Sequence, residues 1–80
     1  MTTENKFIDN LVTETIEESS EIIQVLCKLQ KFGFYDFHPD DKDKTPNYIS
    51  VLNKISDLQK RLKTLESNIL SKIEENSNVA

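Results

Sequence analysis

The segment YISVLNKISDLQKRLKTLESNI, residues 48–69, decides the fold of this 80-residue chain. Its apolar side chains recur at alternating spacings of three and four residues, the heptad pattern of a helix that packs along one seam. The residues of this seam are Tyr48, Val51, Ile55, Leu58, Leu62, Leu65 and Ile69. The pattern predicts a helix over about 46–75, with Thr45 as its N-cap and Pro46 as its first residue.

A second amphipathic helix is predicted over about 3–31, before a loop at 32–45; the single glycine and both prolines fall between residues 33 and 46. The apolar side of this helix is formed by Phe7, Ile8, Leu11, Val12, Thr15, Ile22, Leu26 and Leu29. Residues 1–80 are therefore expected to form one all-α domain, a long antiparallel helical hairpin. Because one hairpin leaves much of both apolar stripes in water, we expect hairpins to assemble into a four-helix bundle, as a homodimer or tetramer.

Composition and charge exclude several classes of function. Fourteen acidic and ten basic residues give a net charge of −4, which makes nucleic acid an unfavourable partner. We expect neither a membrane segment nor a signal peptide, since no apolar run is long enough. The single cysteine, Cys27, excludes an internal disulfide and a cysteine-rich zinc site, which fits the reducing cytoplasm. Nucleophilic catalysis has no candidate triad or phosphate loop.

The stretch IEESSE, residues 16–21, places Glu17, Glu18 and Glu21 within about one and a half helical turns. With Glu14, the acids Glu18 and Glu21 lie on the shoulder of the apolar stripe, where carboxylates can share a hard cation such as magnesium or manganese between helices. Spacing alone favours the alternative interpretation, a solvated boundary of an ordinary helix.

Four motifs follow one another between residues 11 and 62: I-E-E-x-x-E-I-I-Q, C-K-L-Q-K-F-G, a loop containing H-P, and N-Y-I-S-V-L-N-K-I-S-D-L. In this order they resemble the MazG-like branch of the all-α nucleoside triphosphate pyrophosphohydrolases, especially its small phage-encoded members. The resemblance implies magnesium-dependent cleavage of an NTP or dNTP into the monophosphate and pyrophosphate, with manganese as an alternative metal.

The resemblance also implies roles for individual residues. Glu18, Glu21 and Asp57 would be metal ligands, and Glu17 would be a ligand or the catalytic group that positions water. The residues implied to bind the substrate are Lys28, Lys31 and Asn47.

One position departs from the family pattern, because Lys54 stands where the second motif, E-x-x-D, has its glutamate. A protonated lysine cannot ligate a metal. Lys54, Asp57 and Arg61 share one stripe, which is either a surface ion-pair row or, if it packs against Glu18 and Glu21, a substitute for the cation. Since Asp57 lies outside the apolar seam, we expect it to reach a shared cation only where another subunit packs on that flank.

Two functions therefore remain open. The first is a pyrophosphohydrolase of the MazG-like type, active or impaired by the lost glutamate. The alternative is a catalytically inactive helical dimer that keeps the fold and acts as a binding or regulatory protein, phage-encoded and located in the host cytoplasm.

The loop residues receive structural interpretations. Phe34, Tyr35 and Phe37 are expected to plug the end of a bundle rather than stack on a nucleotide base. His38 has no histidine or cysteine partner, and no catalytic role is expected for it. The remaining acids, Asp40, Asp41 and Asp43, are interpreted as a solvated loop, because a calcium-binding EF-hand would need a glycine and a terminal glutamate.

Overall fold

Two antiparallel helices make up most of the chain in the computed structural model, which describes residues 5–37 and 39–78. Helix α1 spans Lys6–Phe32 and helix α2 spans Asn47–Asn78, with no strand in the described ranges. The prediction of an all-α hairpin is confirmed. The predicted helix start near Thr3, like the loop residue His38, lies outside the described residues, and α1 itself begins at Lys6.

The ends of α1 are fixed by Asn5 and Gly33. The side-chain oxygen of Asn5 accepts a hydrogen bond from the backbone N–H of Ile8 at 3.1 Å, so Asn5 is the N-cap. The N–H of Gly33 donates to the carbonyl of Leu29 at 3.0 Å. Gly33 has φ of 108°, a conformation that residues with a Cβ rarely adopt, and this is why the helix ends at the glycine.

Helix α2 begins one residue later than predicted. The carbonyl of Pro46 accepts hydrogen bonds from the N–H groups of Ile49 and Ser50 at 3.0 and 3.3 Å. Pro46 therefore occupies the N-cap position, because its carbonyl already takes part in the first turn while Asn47 is the first helical residue.

Asn47 holds the loop against the start of α2 through hydrogen bonds, and the residue is only 5% exposed. Its amide nitrogen donates to the carbonyl of Gly33 at 2.8 Å, and its backbone N–H donates to the carbonyl of Asp36. Beside it, the ring of Phe34 stacks on Tyr48 with 4.9 Å between centroids, and Tyr35 meets both rings edge-on. These contacts fix the turn that makes the two helices antiparallel.

The helices meet along a line that differs from the predicted seam of α2. A heptad of α2 is buried or half-buried in the hairpin, and it consists of Asn47, Val51, Lys54, Leu58, Leu65, Asn68 and Lys72. In the predicted seam, by contrast, Ile55, Leu62 and Ile69 remain 36%, 48% and 40% exposed. Helix α1 covers only one side of the predicted seam. One hairpin thus leaves part of its apolar stripes exposed, as expected, and burial of the rest of the seam in an assembled bundle stays a prediction.

The hairpin has almost no interior. Among the described residues, only Ile8, Leu11 and Val51 are buried hydrophobic side chains. The molecule measures 57 × 20 × 19 Å with a radius of gyration of 17.2 Å, whereas a compact chain of this length has about 12 Å. None of the described helices is long and apolar enough to cross a membrane.

Replacing Asn47 by alanine is expected to destabilise the hairpin by about 1–2 kcal/mol, because the hydrogen bond from its buried amide to the carbonyl of Gly33 is lost. The free energy of unfolding, measured by urea denaturation at fixed protein concentration, gives this value. Asn53→Ala is the control, since Asn53 is exposed on the same helix and alanine has the higher helix propensity. Equal effects of the two substitutions would contradict the role of Asn47.

Candidate functional site

Charged side chains from both helices meet on one broad side of the hairpin, here called the polar face. It is formed by Glu14, Glu18 and Glu21 of α1 and by Lys54, Asp57 and Arg61 of α2. The ammonium nitrogen of Lys54 lies 3.0 Å from an oxygen of Glu21 and 4.0 Å from an oxygen of Asp57. Lys54 therefore lies between acids of the two helices.

A second ion pair lies two turns away, where the guanidinium of Arg61 donates to Glu14 at 2.9 Å. Lys54 and Arg61 are seven residues apart in α2, and Glu14 and Glu21 are seven apart in α1. Since a heptad brings a helix back to the same face, antiparallel packing pairs both basic residues with both acids at once. The interpretation of Lys54, Asp57 and Arg61 as a surface ion-pair row is therefore incomplete, because Lys54 and Arg61 form ion pairs with acids of α1.

Asp57 is half-buried beside Lys54 on α2, and it lines a groove together with Glu18 of α1. This flank of α2 therefore faces α1 within one chain. That Asp57 reaches a shared cation through a second subunit stays a prediction.

The surroundings of Lys54 keep it charged. The hydrogen bond to Glu21 raises the pKa of the Lys54 ammonium above its usual 10.5, and the negative charges of Glu21, Glu18 and Asp57 raise it further, although partial burial acts in the opposite direction. At neutral pH, Lys54 is a fixed positive charge.

Glu18 has an incompletely satisfied carboxylate. One oxygen, Oε2, is buried and has no hydrogen-bond partner, although the residue lies close enough to Lys54 to influence its pKa. Glu18 also lines a groove of about 320 Å³ together with Asp57, Lys60, Arg61 and Thr64. Glu17, the neighbouring acid, is exposed and does not line this groove.

The residues implied to bind substrate are divided between two places. Lys28 and Asn47 line a cavity of about 310 Å³ at the loop end of the hairpin, which Asp40 and Asp41 also line. Lys31 does not line this cavity; it lines a separate groove with Lys28 and Phe32, and its ammonium lies 5.2 Å from the centroid of the Phe32 ring. The acids of the polar face belong to neither place, so the structure does not combine the two halves of the implied site.

The loop acid Asp41 has a structural role. Its two carboxylate oxygens accept hydrogen bonds from the backbone N–H groups of Asp43 and Thr45, at 2.9 and 3.0 Å. These bonds hold the chain just before α2 begins, which is how aspartate commonly stabilises a turn.

The polar face does not fit a divalent metal as the resemblance implies it. Glu21 is hydrogen-bonded to an ammonium, which repels a cation and offers no lone pair while protonated. Among residues 5–37 and 39–78, no three His, Cys, Asp or Glu side chains are grouped closely enough to hold a metal ion. The described geometry supports the interpretation in which the ammonium of Lys54 takes the place of a metal ion.

No protein-family model, curated protein or solved structure matches this chain. The similarity to MazG-like proteins therefore stays a prediction from the motifs.

Sequence reasoning identified every member of the polar face but missed the pairing of Arg61 with Glu14. A signal for it was present, because acids and bases repeat at the same interval of seven residues in the two helices. What the sequence lacked was the rotation of each helix about its axis, which the packing of the pair determines.

Lys54→Met is expected to lower the free energy of unfolding by about 1 kcal/mol, because the acids around it then repel one another without a counter-charge. Lys63→Met is the matched control, since Lys63 is exposed on the same helix, lies outside the groove of Glu18 and Asp57 and belongs to none of the ion pairs of the polar face. Urea denaturation of both variants measures the difference.

The same variant tests the ionisation of Lys54. Since the folded state raises its pKa, its stabilisation is fully present below pH 10.5 and is lost as the pH rises through the folded-state pKa. The stability difference between the unsubstituted protein and Lys54→Met should therefore be constant from pH 7 to about pH 10 and shrink above it. A difference that disappears near neutral pH would contradict this assignment.

Proposed function

We propose that this chain is a catalytically inactive MazG-like helical protein that associates as a homodimer and acts as a binding or regulatory protein. The observation that carries the proposal is the ammonium of Lys54, 3.0 Å from Glu21 and 4.0 Å from Asp57. It neutralises the acids that the resemblance would assign to a metal, and it does so permanently at neutral pH.

The distribution of the implied substrate residues supports the same proposal. A triphosphate needs concentrated positive charge, yet the cavity that contains Lys28 and Asn47 is also lined by Asp40 and Asp41. The amide nitrogen of Asn47 already donates to Gly33. These features favour structural use of the residues over phosphate binding.

Association is the second part of the proposal. A hairpin with three buried hydrophobic side chains in its described part gains little stability from its own core. Folding and association are therefore expected to be coupled, in a dimer or a tetramer of hairpins. The exposed thiol of Cys27 is compatible with a reducing compartment, which would be the host cytoplasm for a phage-encoded protein.

One observation favours the second candidate function, a magnesium-dependent pyrophosphohydrolase acting on nucleoside triphosphates. The buried oxygen of Glu18 has no hydrogen-bond partner, which is costly for a carboxylate unless a cation or donor meets it. A site that recruited this oxygen would have to displace Lys54 from Glu21.

The two candidates are separated by titrating the purified protein with magnesium and with manganese while measuring binding heat, melting temperature and pyrophosphate release from a mixed NTP and dNTP pool. The proposal predicts no binding heat at millimolar metal, an unchanged melting temperature and no pyrophosphate. Pyrophosphate released by the unsubstituted protein and abolished in Glu18→Gln would establish the hydrolase instead.

Lys54→Glu restores the acid of the family motif and sharpens the comparison. Without metal it should destabilise the protein more than Lys54→Met, because a repulsive charge replaces an attractive one. Magnesium should recover part of this loss, and no pyrophosphate should appear. Lys63→Glu, with the same charge change at an exposed position outside the groove of Glu18 and Asp57, should show neither effect. Pyrophosphate release by Lys54→Glu would mean that the lysine at position 54 alone makes the protein inactive as an enzyme.

A further inference from the structure

The side of the hairpin opposite the polar face is apolar and uncovered. This apolar face consists of Ile16 and Ile23 of α1 and of Ile55, Leu62, Ile69 and Ile73 of α2, each at least 36% exposed. Isoleucines and leucines that recur along both helices form a continuous surface, unlike the scattered apolar residues of ordinary protein surfaces.

The two stripes lie on the same side of the molecule. In each helix, the exposed apolar residues are rotated by about 100° from the residues that face the other helix. The grooves between the helices show the result: Val12, Ile69 and Ile73 line one groove, and Glu18, Asp57 and Arg61 line another. The hairpin therefore has one apolar side and one charged side.

The exposed area matches what a dimer of this chain would need. The chain exposes 6411 Å², whereas a compact protein of its mass exposes about 5000 Å². The excess of about 1400 Å² is larger than the roughly 800 Å² that each partner buries in a stable interface. Two hairpins in contact through their apolar faces would form a four-helix bundle.

The charges along the hairpin favour one arrangement of two copies. The ion pair of Lys54 with Glu21 places these residues at the same level, so the loop end comprises residues 22–53, which carry four basic and four acidic side chains. The open end, residues 6–21 and 54–78, carries six basic and nine acidic side chains. Two copies with their loops at the same end would bring the two net-acidic open ends together, whereas loops at opposite ends place each open end on a neutral loop end.

We propose that the apolar face binds the apolar face of a second copy with the two loops at opposite ends, so that α2 packs antiparallel to α2 of the second copy. This rests on the homodimer of the proposed function and adds its interface and its orientation. The resulting four-helix bundle buries the seam residues that α1 leaves exposed. The ion-paired polar face stays on the outside of the dimer and is complete within each chain.

The interface is tested with Leu62→Gln, which removes the central apolar side chain of the face and keeps a comparable helix propensity. Sedimentation equilibrium should show a dimer for the unsubstituted protein and a dissociation constant roughly tenfold to hundredfold higher for this variant, since both copies lose a buried leucine. Thr64→Gln is the matched control: Thr64 is exposed half a turn away and lines the polar groove. Its dissociation constant should be unchanged.

The orientation is tested by attaching a nitroxide spin label to the single cysteine, Cys27, which is exposed. Cys27 lies thirteen residues from Glu14, which is paired with Arg61 near the middle of α2. At 1.5 Å per residue, loops at opposite ends place two labels about 40 Å apart, whereas loops at the same end place them within about 20 Å. Pulsed dipolar spectroscopy distinguishes these distances. A second label, Asn76→Cys in a Cys27→Ser background, should also give a distance above about 35 Å.

Each result decides a different point. A dimer that Leu62→Gln leaves intact would overturn the interface while the proposed homodimer stands. A dimer with labels about 20 Å apart would overturn the orientation. A folded monomer at micromolar concentration would overturn this inference and the proposed homodimer together, and would mean that the apolar face binds a different protein.

Discussion

Two helices packed side by side bury apolar residues along only one line of contact. This chain has enough apolar residues for two such lines. Helix α1 contacts α2 along Val51, Leu58 and Leu65, the side of the seam that also presents Lys54. The other side of the seam, with Ile55, Leu62 and Ile69, is left to solvent. Burial of apolar area is the main stabilising term in folding, so a hairpin that leaves half of its stripe exposed has a strong drive to associate.

The position of the packing line follows from charge as well as from apolar area. Glu14 and Glu21 on α1 match Arg61 and Lys54 on α2 at the same interval, and antiparallel packing satisfies both pairs. Partly exposed ion pairs contribute little energy singly. Like charges placed across a helix interface are unfavourable, however, so these pairs also exclude other registers and rotations of the two helices.

The same arrangement supplies Glu18 and Glu21 of IEESSE with a positive charge that does not depend on a metal. A divalent cation and a lysine ammonium satisfy the same requirement, which is positive charge between carboxylates brought together by packing. The lysine is attached to the chain and is always present, whereas a metal must be recruited at the cost of dehydration. With the charge requirement met on the polar face, the apolar face remains as the surface through which this protein can interact.

The sequence by itself determined the secondary structure, because the heptad of α2, the single glycine Gly33 and the proline before α2 act locally. It also named every member of the polar face, since acids and bases at matched spacing are visible without a structure. Only the tertiary structure decided that Lys54 meets Glu21, that Arg61 meets Glu14, and that Asn47 is hydrogen-bonded to the loop. Spacing fixes which residues share a face of one helix, but the rotation of one helix against another depends on side-chain packing and charge along the whole contact.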